Sequence, residues 1–270
     1  MSKISEKKRI VIKVGSSSLT HPTGLINIRK IENFVKVLAD LKNSGREIIL
    51  VSSGAQAVGI GKIGLSKKPS DMPTKQAVAA IGQCELMYIY DKQFSIYNHT
   101  VAQVLLTKDI VEVEARKQNV INTLSRLLEL GCIPVINEND TVSFEEIEFG
   151  DNDTLSAIVG ELIGTDLLII LSDIDGLYDS NPRKNPNAKL IPVVERIDEK
   201  IISLAGDAGS ALGTGGMVTK IHAAQIAAAA GFDMVIMNGA NPEKLYDLFG
   251  DVPVGTIFKA PPAFKSSEKE

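Results

Sequence analysis

Tryptophan is absent, aromatic residues make up 5% of the chain, and 270 residues contain two cysteines. So few aromatics leave no stacking platform for a single-stranded nucleic acid. Cys84 and Cys132 can pair only with each other, which excludes a disulfide framework and a cysteine metal cluster. Both lie in apolar stretches and read as buried thiols of a reducing compartment. A cationic surplus is also missing: 29 Lys and Arg face 33 Asp and Glu, so bulk charge does not draw the protein to a polyanion. No window holds 18 uninterrupted apolar residues, and no apolar run of signal-peptide length follows the start. The sequence therefore reads as a soluble, cytoplasmic protein with neither membrane nor nucleic acid as partner.

What is present is a chain 44% hydrophobic, enough for a sizeable core, with 22 glycines gathered at 54–64, 206–216 and 231–239. These clusters read as backbone-built binding loops. The run RIVIKV at 9–14 predicts a strand that stops at Gly15 and three serines. Ile28, Ile31, Val35, Leu38 and Leu41 then predict a helix over 27–44, before a strand at 46–51. A connection of this length implies a right-handed crossover between parallel strands whose carboxyl ends share one edge. Further along, helices are expected at 74–90, through Val120 to Leu128, and at 218–230. Strands are expected at 100–106, 132–137, 167–172 and 234–237, with Asp153 capping a helix that begins after GDND. LLIILS and MVIM are apolar on both faces, as central parallel strands are. One α/β domain over 1–260 follows, with a short polar tail at 261–270 and a surface loop or lid near 181–189.

G-x-x-x-x-G-K-S/T does not occur and no G-x-G-x-x-G directly follows the first strand, Gly59, Gly61 and Gly64 giving only a distorted echo of it, so a phosphate loop or dinucleotide fingerprint is not the reading. Lys13 interrupts the apolar first strand, where its charge is costly unless an anion meets it; the alternative is an outward lysine on an edge strand. GTGGMVTK at 213–220 puts glycine amides, Thr214, Thr219 and Lys220 at a helix start, suited to cradling phosphates. Two lysines, Lys13 and Lys220, can bracket a transferring phosphoryl group without any protein nucleophile. Asn137 to Asp140 follow one strand and Asp151 to Asp153 precede a helix, polar clusters that orient lysines, a nucleotide's metal ion or a substrate carboxylate. SSGA at 52–55 permits close approach to backbone amides. SDIDGLYD at 172–179 suits a base or ribose. His21, His99 and His222 sit outside any hydrolase relay, and no G-x-S-x-G elbow surrounds Ser53.

The ordered set VIKVGSSSLT, VSSGA, PVINENDTV, GDND, SDIDGLYDSNP and GTGGMVTK resembles the amino acid kinase family, over nearly the whole chain. Gly15-Ser16-Ser17, where relatives often carry G-G-K or G-G-S, points to the branch that phosphorylates glutamate. The resemblance implies a three-layer αβα sandwich with a largely parallel sheet, the carbamate kinase-like fold. It implies transfer from ATP, with Mg2+, to the side-chain carboxylate of L-glutamate, in proline biosynthesis. By the same resemblance, Lys13 and Lys220 flank the transferred group, Asp153 holds the lysines, and Ser53, Asp140 and Asn152 bind glutamate. Asn152 is expected to donate to the α-carboxylate. Lys13, Gly15, Ser172, Asp173, Thr214, Gly215, Gly216, Met217, Val218, Thr219 and Lys220 are expected to bind the nucleotide. No protein metal ligand is expected. A homo-oligomer, inhibition by proline and coupling to a glutamyl phosphate reductase are also implied. Many relatives append a PUA-type domain, where only a short tail is expected here. The alternatives are an acetylglutamate or carbamate kinase-like enzyme, and a noncatalytic amino acid or nucleotide sensor.

Overall fold

The computed structural model describes residues 3–107, 111–142, 152–207 and 216–261. Its first half runs β1 (Arg9–Val14), α1 (Ser16–Leu19), α2 (Ile28–Asn43), β2 (Glu47–Ser52), α3 (Ala55–Ile63), α4 (Met72–Ser95), β3 (Val101–Leu106), α5 (Glu114–Glu129) and β4 (Ile133–Glu138). The second half adds α6 (Asn152–Ile163), β5 (Leu167–Ser172), β6 (Val193–Val194), α7 (Glu199–Asp207), α8 (Met217–Ala230), β7 (Asp233–Asn238), α9 (Lys244–Phe249) and β8 (Thr256–Phe258). Local chemistry sets several boundaries. Asn27 caps α2 by accepting from the Lys30 amide at 3.1 Å, and Asp71 caps α4 by accepting from Thr74. Pro73 lies in the first turn of α4, where its missing N–H costs nothing.

The strands form one sheet in the order β3-β4-β2-β1-β5-β7-β8-β6. Every pair from β3 through β7 is parallel, and β8 runs antiparallel to β7 at the far end. Alternation along the strands divides the core. Ile10, Ile12, Ile48, Leu50, Ile169 and Val235 pack with α2, α4 and α9, whereas Val11, Ile49, Leu168, Ile170 and Ile236 pack with α5, α6 and α8. The result is the expected αβα sandwich. Lys13 falls on the same side of β1 as Val11, and so faces α6 and α8. Among the described residues no helix is long and apolar enough to cross a membrane.

Several sequence expectations need correction. The glycine cluster at 54–64 is not a binding loop, because α3 spans Ala55–Ile63 of it; Gly59 and Gly61 are packing residues of that helix. A Cβ on Gly59 would lie 1.8 Å from the Val78 carbonyl oxygen, and one on Gly82 would lie 1.7 Å from that of Ala55, so glycine is what lets α3 and α4 touch backbone to backbone. Cys84 is exposed and Cys132 only half-buried, since Cys84 follows the buried Gln83 and so turns away from the core. Asp153 does not cap α6. It lies within the first turn, after Asn152, with its carboxylate committed elsewhere. The 181–189 segment is a set of exposed turns pinned at its base, where the Lys189 amide donates to Asp179 Oδ1 at 2.9 Å. The expected tail beyond 261 and the 208–215 part of the second glycine cluster lie outside the described residues.

Candidate active site

The parallel order brings the carboxyl ends of β4, β2, β1, β5 and β7 to one edge, and the polar motifs follow these ends. At the middle, β1 presents Lys13 to the amino ends of α6 and α8. Lys13 Nζ lies 2.8 Å from Asp153 Oδ1, and Lys220 Nζ lies 3.0 Å from Oδ2 of the same carboxylate. The Thr219 hydroxyl donates to Asp153 Oδ2 at 2.9 Å and also lies 2.8 Å from the Gly216 carbonyl oxygen. Burial alone raises the Asp153 pKa, but the two ammonium groups outweigh it and hold the carboxyl at about 2. Among the described residues two cations share one anion in this buried cluster, a balance that suits an incoming anion. A Cβ on Gly15 would sit 3.9 Å from Lys13 Nζ, so the glycine leaves the space beside that ammonium open.

On one side of the cluster lie Ser53, Asn137, Asp140 and Asn152. Gly54, with φ +101°, turns the chain from β2 into α3 and places Ser53 beside Asn152. Asn152 Nδ2 faces three acceptors: the Ser52 carbonyl at 3.1 Å, Ser53 Oγ at 2.9 Å and Asn137 Oδ1 at 2.9 Å. Among the described residues its Oδ1 is buried without a hydrogen-bond partner. The expected donor role of Asn152 therefore needs correction: both amide hydrogens are used within the protein, and what the side chain has to offer is an acceptor. Asp140 is partly buried at the rim, its carboxyl pushed up to about 6 by burial and then by the charge of Glu138.

On the other side, Ser172, Asp173, Gly216, Met217 and Lys220 line one cleft with apolar contributions from Ile174, Leu177 and Leu204. The Ser172 hydroxyl donates to Asp173 Oδ1 at 3.2 Å, and the exposed Arg183 guanidinium lies 3.5 Å from Asp173 Oδ2. Val218 is 59% exposed and does not line the cleft, because it follows Met217 on the outer face of α8. Thr214 and Gly215 lie outside the described residues. Sequence reasoning missed Leu204, and with it two polar groups on the buried face of α4. These are Gln83, whose Oε1 accepts from Asn137 Nδ2 at 2.9 Å, and Tyr90, whose Oη lies 2.9 Å from Ser52 Oγ. Their spacing of seven residues, on a face otherwise made of Val78, Ala79, Gly82 and Leu86, is the signal that marks them.

A central parallel sheet with two lysines sharing one carboxylate at its carboxyl edge has the layout of a small-molecule kinase, and the chain belongs to the amino acid kinase family, whose profile matches residues 8–238. Among curated relatives it is 53% identical over 261 residues to the glutamate 5-kinase of Clostridium perfringens, covering 95% of this chain and 97% of that protein. It is 54% identical over 255 residues to the glutamate 5-kinase of Clostridium acetobutylicum, covering 94% and 96%. Two solved structures share the fold. The carbamate kinase of Giardia lamblia bound to AMP-PNP superposes with a TM-score of 0.64 at 15% identity, over 95% of this chain and all of that one. The UMP kinase of Ureaplasma parvum gives 0.66 at 15% identity, over 94% and 99%.

Proposed function

We propose that the chain transfers the γ-phosphoryl group of ATP to the side-chain carboxylate of L-glutamate, forming L-glutamyl 5-phosphate at the start of proline synthesis. The observation that carries the reading is the Lys13–Asp153–Lys220 cluster, with the hydrogen-bonded Ser53, Asn137 and Asn152 on one side and the cleft lined by Ser172, Asp173 and Met217 on the other. The acceptor carboxylate is already ionised near neutral pH, so no general base is required. Lys13 and Lys220 neutralise charge on the transferring group and Asp153 keeps both ammonium groups in place, so that positioning and electrostatics supply the catalysis. Ser53, Asp140 and Asn152 hold glutamate. Gly15, Ser172, Asp173 and the start of α8 hold the nucleotide.

No group of three His, Cys, Asp or Glu among the described residues is arranged to hold a metal ion, and both oxygens of Asp153 already face lysines. Mg2+ enters as part of the nucleotide substrate, bound through its phosphates. The acyl phosphate product is labile, and a reductase acting on it is its natural consumer. The same reading includes a homo-oligomeric enzyme inhibited by proline. ADP release from MgATP, measured with glutamate, N-acetylglutamate and carbamate, tests the assignment: turnover dependent on glutamate is expected. Preference for either other acceptor overturns the substrate, and binding of both ligands without turnover makes the protein a sensor.

A further inference from the structure

The polarity of the amide network is set by two backbone groups. The Glu138 amide donates to Asn137 Oδ1 at 2.9 Å, which turns the Asn137 NH2 toward Gln83. At the other end, the Ser52 carbonyl at 3.1 Å accepts only, which turns the Asn152 NH2 toward it. A backbone N–H cannot accept and a carbonyl cannot donate, so neither asparagine can rotate its amide without setting two like groups against each other. The consequence is a directed chain in which Asn152 donates to Asn137 and Asn137 donates to Gln83, leaving Asn152 Oδ1 buried with no donor. Gln83, Asn137 and Asn152 are all at least nine-tenths buried, so water is a poor substitute for any link. A buried carbonyl oxygen without a donor is costly and needs one to arrive.

We propose that Gln83 is a positioning residue for the acceptor site, anchoring the chain through Asn137 that holds Asn152 with its carbonyl oxygen available to the α-ammonium of the substrate. This deepens, and rests on, the reading of the site as a glutamate site. Gln83 touches no reacting atom. Its Oε1 pairs the Asn137 NH2; without that acceptor a buried N–H is left unpaired, which the Asn137 side chain relieves by shifting without turning, drawing its Oδ1 from Asn152 and moving the Asn152 carbonyl oxygen out of place. The site thereby distinguishes an amino acid from the same dicarboxylate without its amine.

Glutarate, which keeps both carboxylates of glutamate and lacks only the ammonium, is the probe. For Gln83→Met the KM for glutamate is expected to rise about tenfold, with the inhibition constant of glutarate and the KM for ATP changing less than twofold. Gln83→Glu keeps an acceptor oxygen and is expected to restore the glutamate KM to within threefold of wild type. Equal weakening of glutamate and glutarate indicates a merely structural role and overturns the proposal, as does Gln83→Glu matching Gln83→Met or an unaltered glutamate KM. Should Gln83→Met not fold, Asn137→Ser breaks the same link from its other side and is subject to the same comparison. Failure of the wild-type protein to phosphorylate glutamate would instead reject the substrate reading, so the two failures are told apart.

Discussion

Glu138 stands two residues before Asp140 at the end of β4, and its charge adds to burial in pushing the Asp140 carboxyl up to about 6. Asp140, proposed to hold glutamate and suited by its charge to the substrate ammonium, is therefore partly protonated in mildly acidic solution. Only its ionised form pairs with the ammonium, so the KM for glutamate is expected to rise about tenfold between pH 7 and pH 5, while the KM for ATP changes little. Initial rates across that range, with each substrate varied in turn, make the measurement. A flat glutamate KM would remove Asp140 from the ammonium site.

The same shift has a sign for stability. A carboxyl raised above its ordinary value of 3.8 favours the folded state while protonated and disfavours it as pH climbs through about 6. Asp140→Asn is thus expected to raise the melting temperature of the ligand-free protein at pH 7 to 8 and to lose that advantage below pH 4. Allowing for the partial exposure of the side chain, the gain is on the order of 1 kcal/mol. It should come with a glutamate KM roughly thirtyfold higher, so that stability and affinity move in opposite directions.

Asp153 shows the reverse sign. Its carboxyl, held at about 2, stabilises the fold above pH 4 by about 2 kcal/mol, and this contribution disappears as pH falls through 2. Asp153→Asn leaves Lys13 and Lys220 buried without their counter-charge and is expected to cost about 3 kcal/mol at pH 7. Denaturant melts of both proteins should converge only below about pH 2. A variant as stable as wild type at pH 7 would mean the lysines do not depend on it.

Removing either cation should strike the chemical step harder than it weakens nucleotide binding. Lys13→Ala and Lys220→Ala are each expected to lower kcat by roughly a hundredfold or more, the equivalent of about 3 kcal/mol of transition-state stabilisation. Circular dichroism establishes that the fold persists, and ADP release gives the rate. Near-normal turnover in one variant excludes that lysine from the transfer.

Gly82→Ala tests the contact between α3 and α4. The new methyl group meets the Ala55 carbonyl oxygen, which is backbone and cannot swing aside. A loss of about 3 kcal/mol is expected from chemical denaturation, with a higher glutamate KM, because α3 starts directly after Ser53 and Gly54. An unchanged unfolding midpoint would contradict the packing described.

Some of this arrangement is written locally in the sequence and some is not. Lys13 is conspicuous because a charge breaks an apolar strand, and β5 is conspicuous because six apolar or small residues run together. Strand alternation even indicates that Lys13 shares a face with Val11. The glycines at 54–64 misled for a physical reason: glycine marks both loops and close helix contacts, and only the partner helix decides between them. The orientation of the Asn152 amide was likewise out of reach, since it is set by Ser52 and Asn137, which are 100 and 15 residues away in the chain. Gln83 was hidden inside an otherwise apolar helix face.

The placement of β1 in the sheet has a genetic consequence. β3, β4 and β2 lie on one side of it and β5, β7, β8 and β6 on the other, so the strands before residue 142 and those after residue 167 build opposite flanks. The residues proposed to hold the acceptor, Ser53, Asp140 and Asn152, and the later ones proposed to hold the nucleotide, Ser172, Asp173 and Lys220, thereby fall in consecutive stretches rather than interleaved. One crossover just beyond the Asp153 codon would exchange the acceptor-side stretch, together with Lys13 and Gly15, for another while keeping the stretch from Ser172 to Lys220 whole. The inherited parts would have to agree at a narrow seam: the β1–β5 pairing from Ile10↔Leu167 to Val14↔Leu171, and the reach of Lys220 to Asp153. Acceptor choice in such a molecule is open to shuffling by recombination, whereas the phosphoryl-transferring centre is inherited across the join.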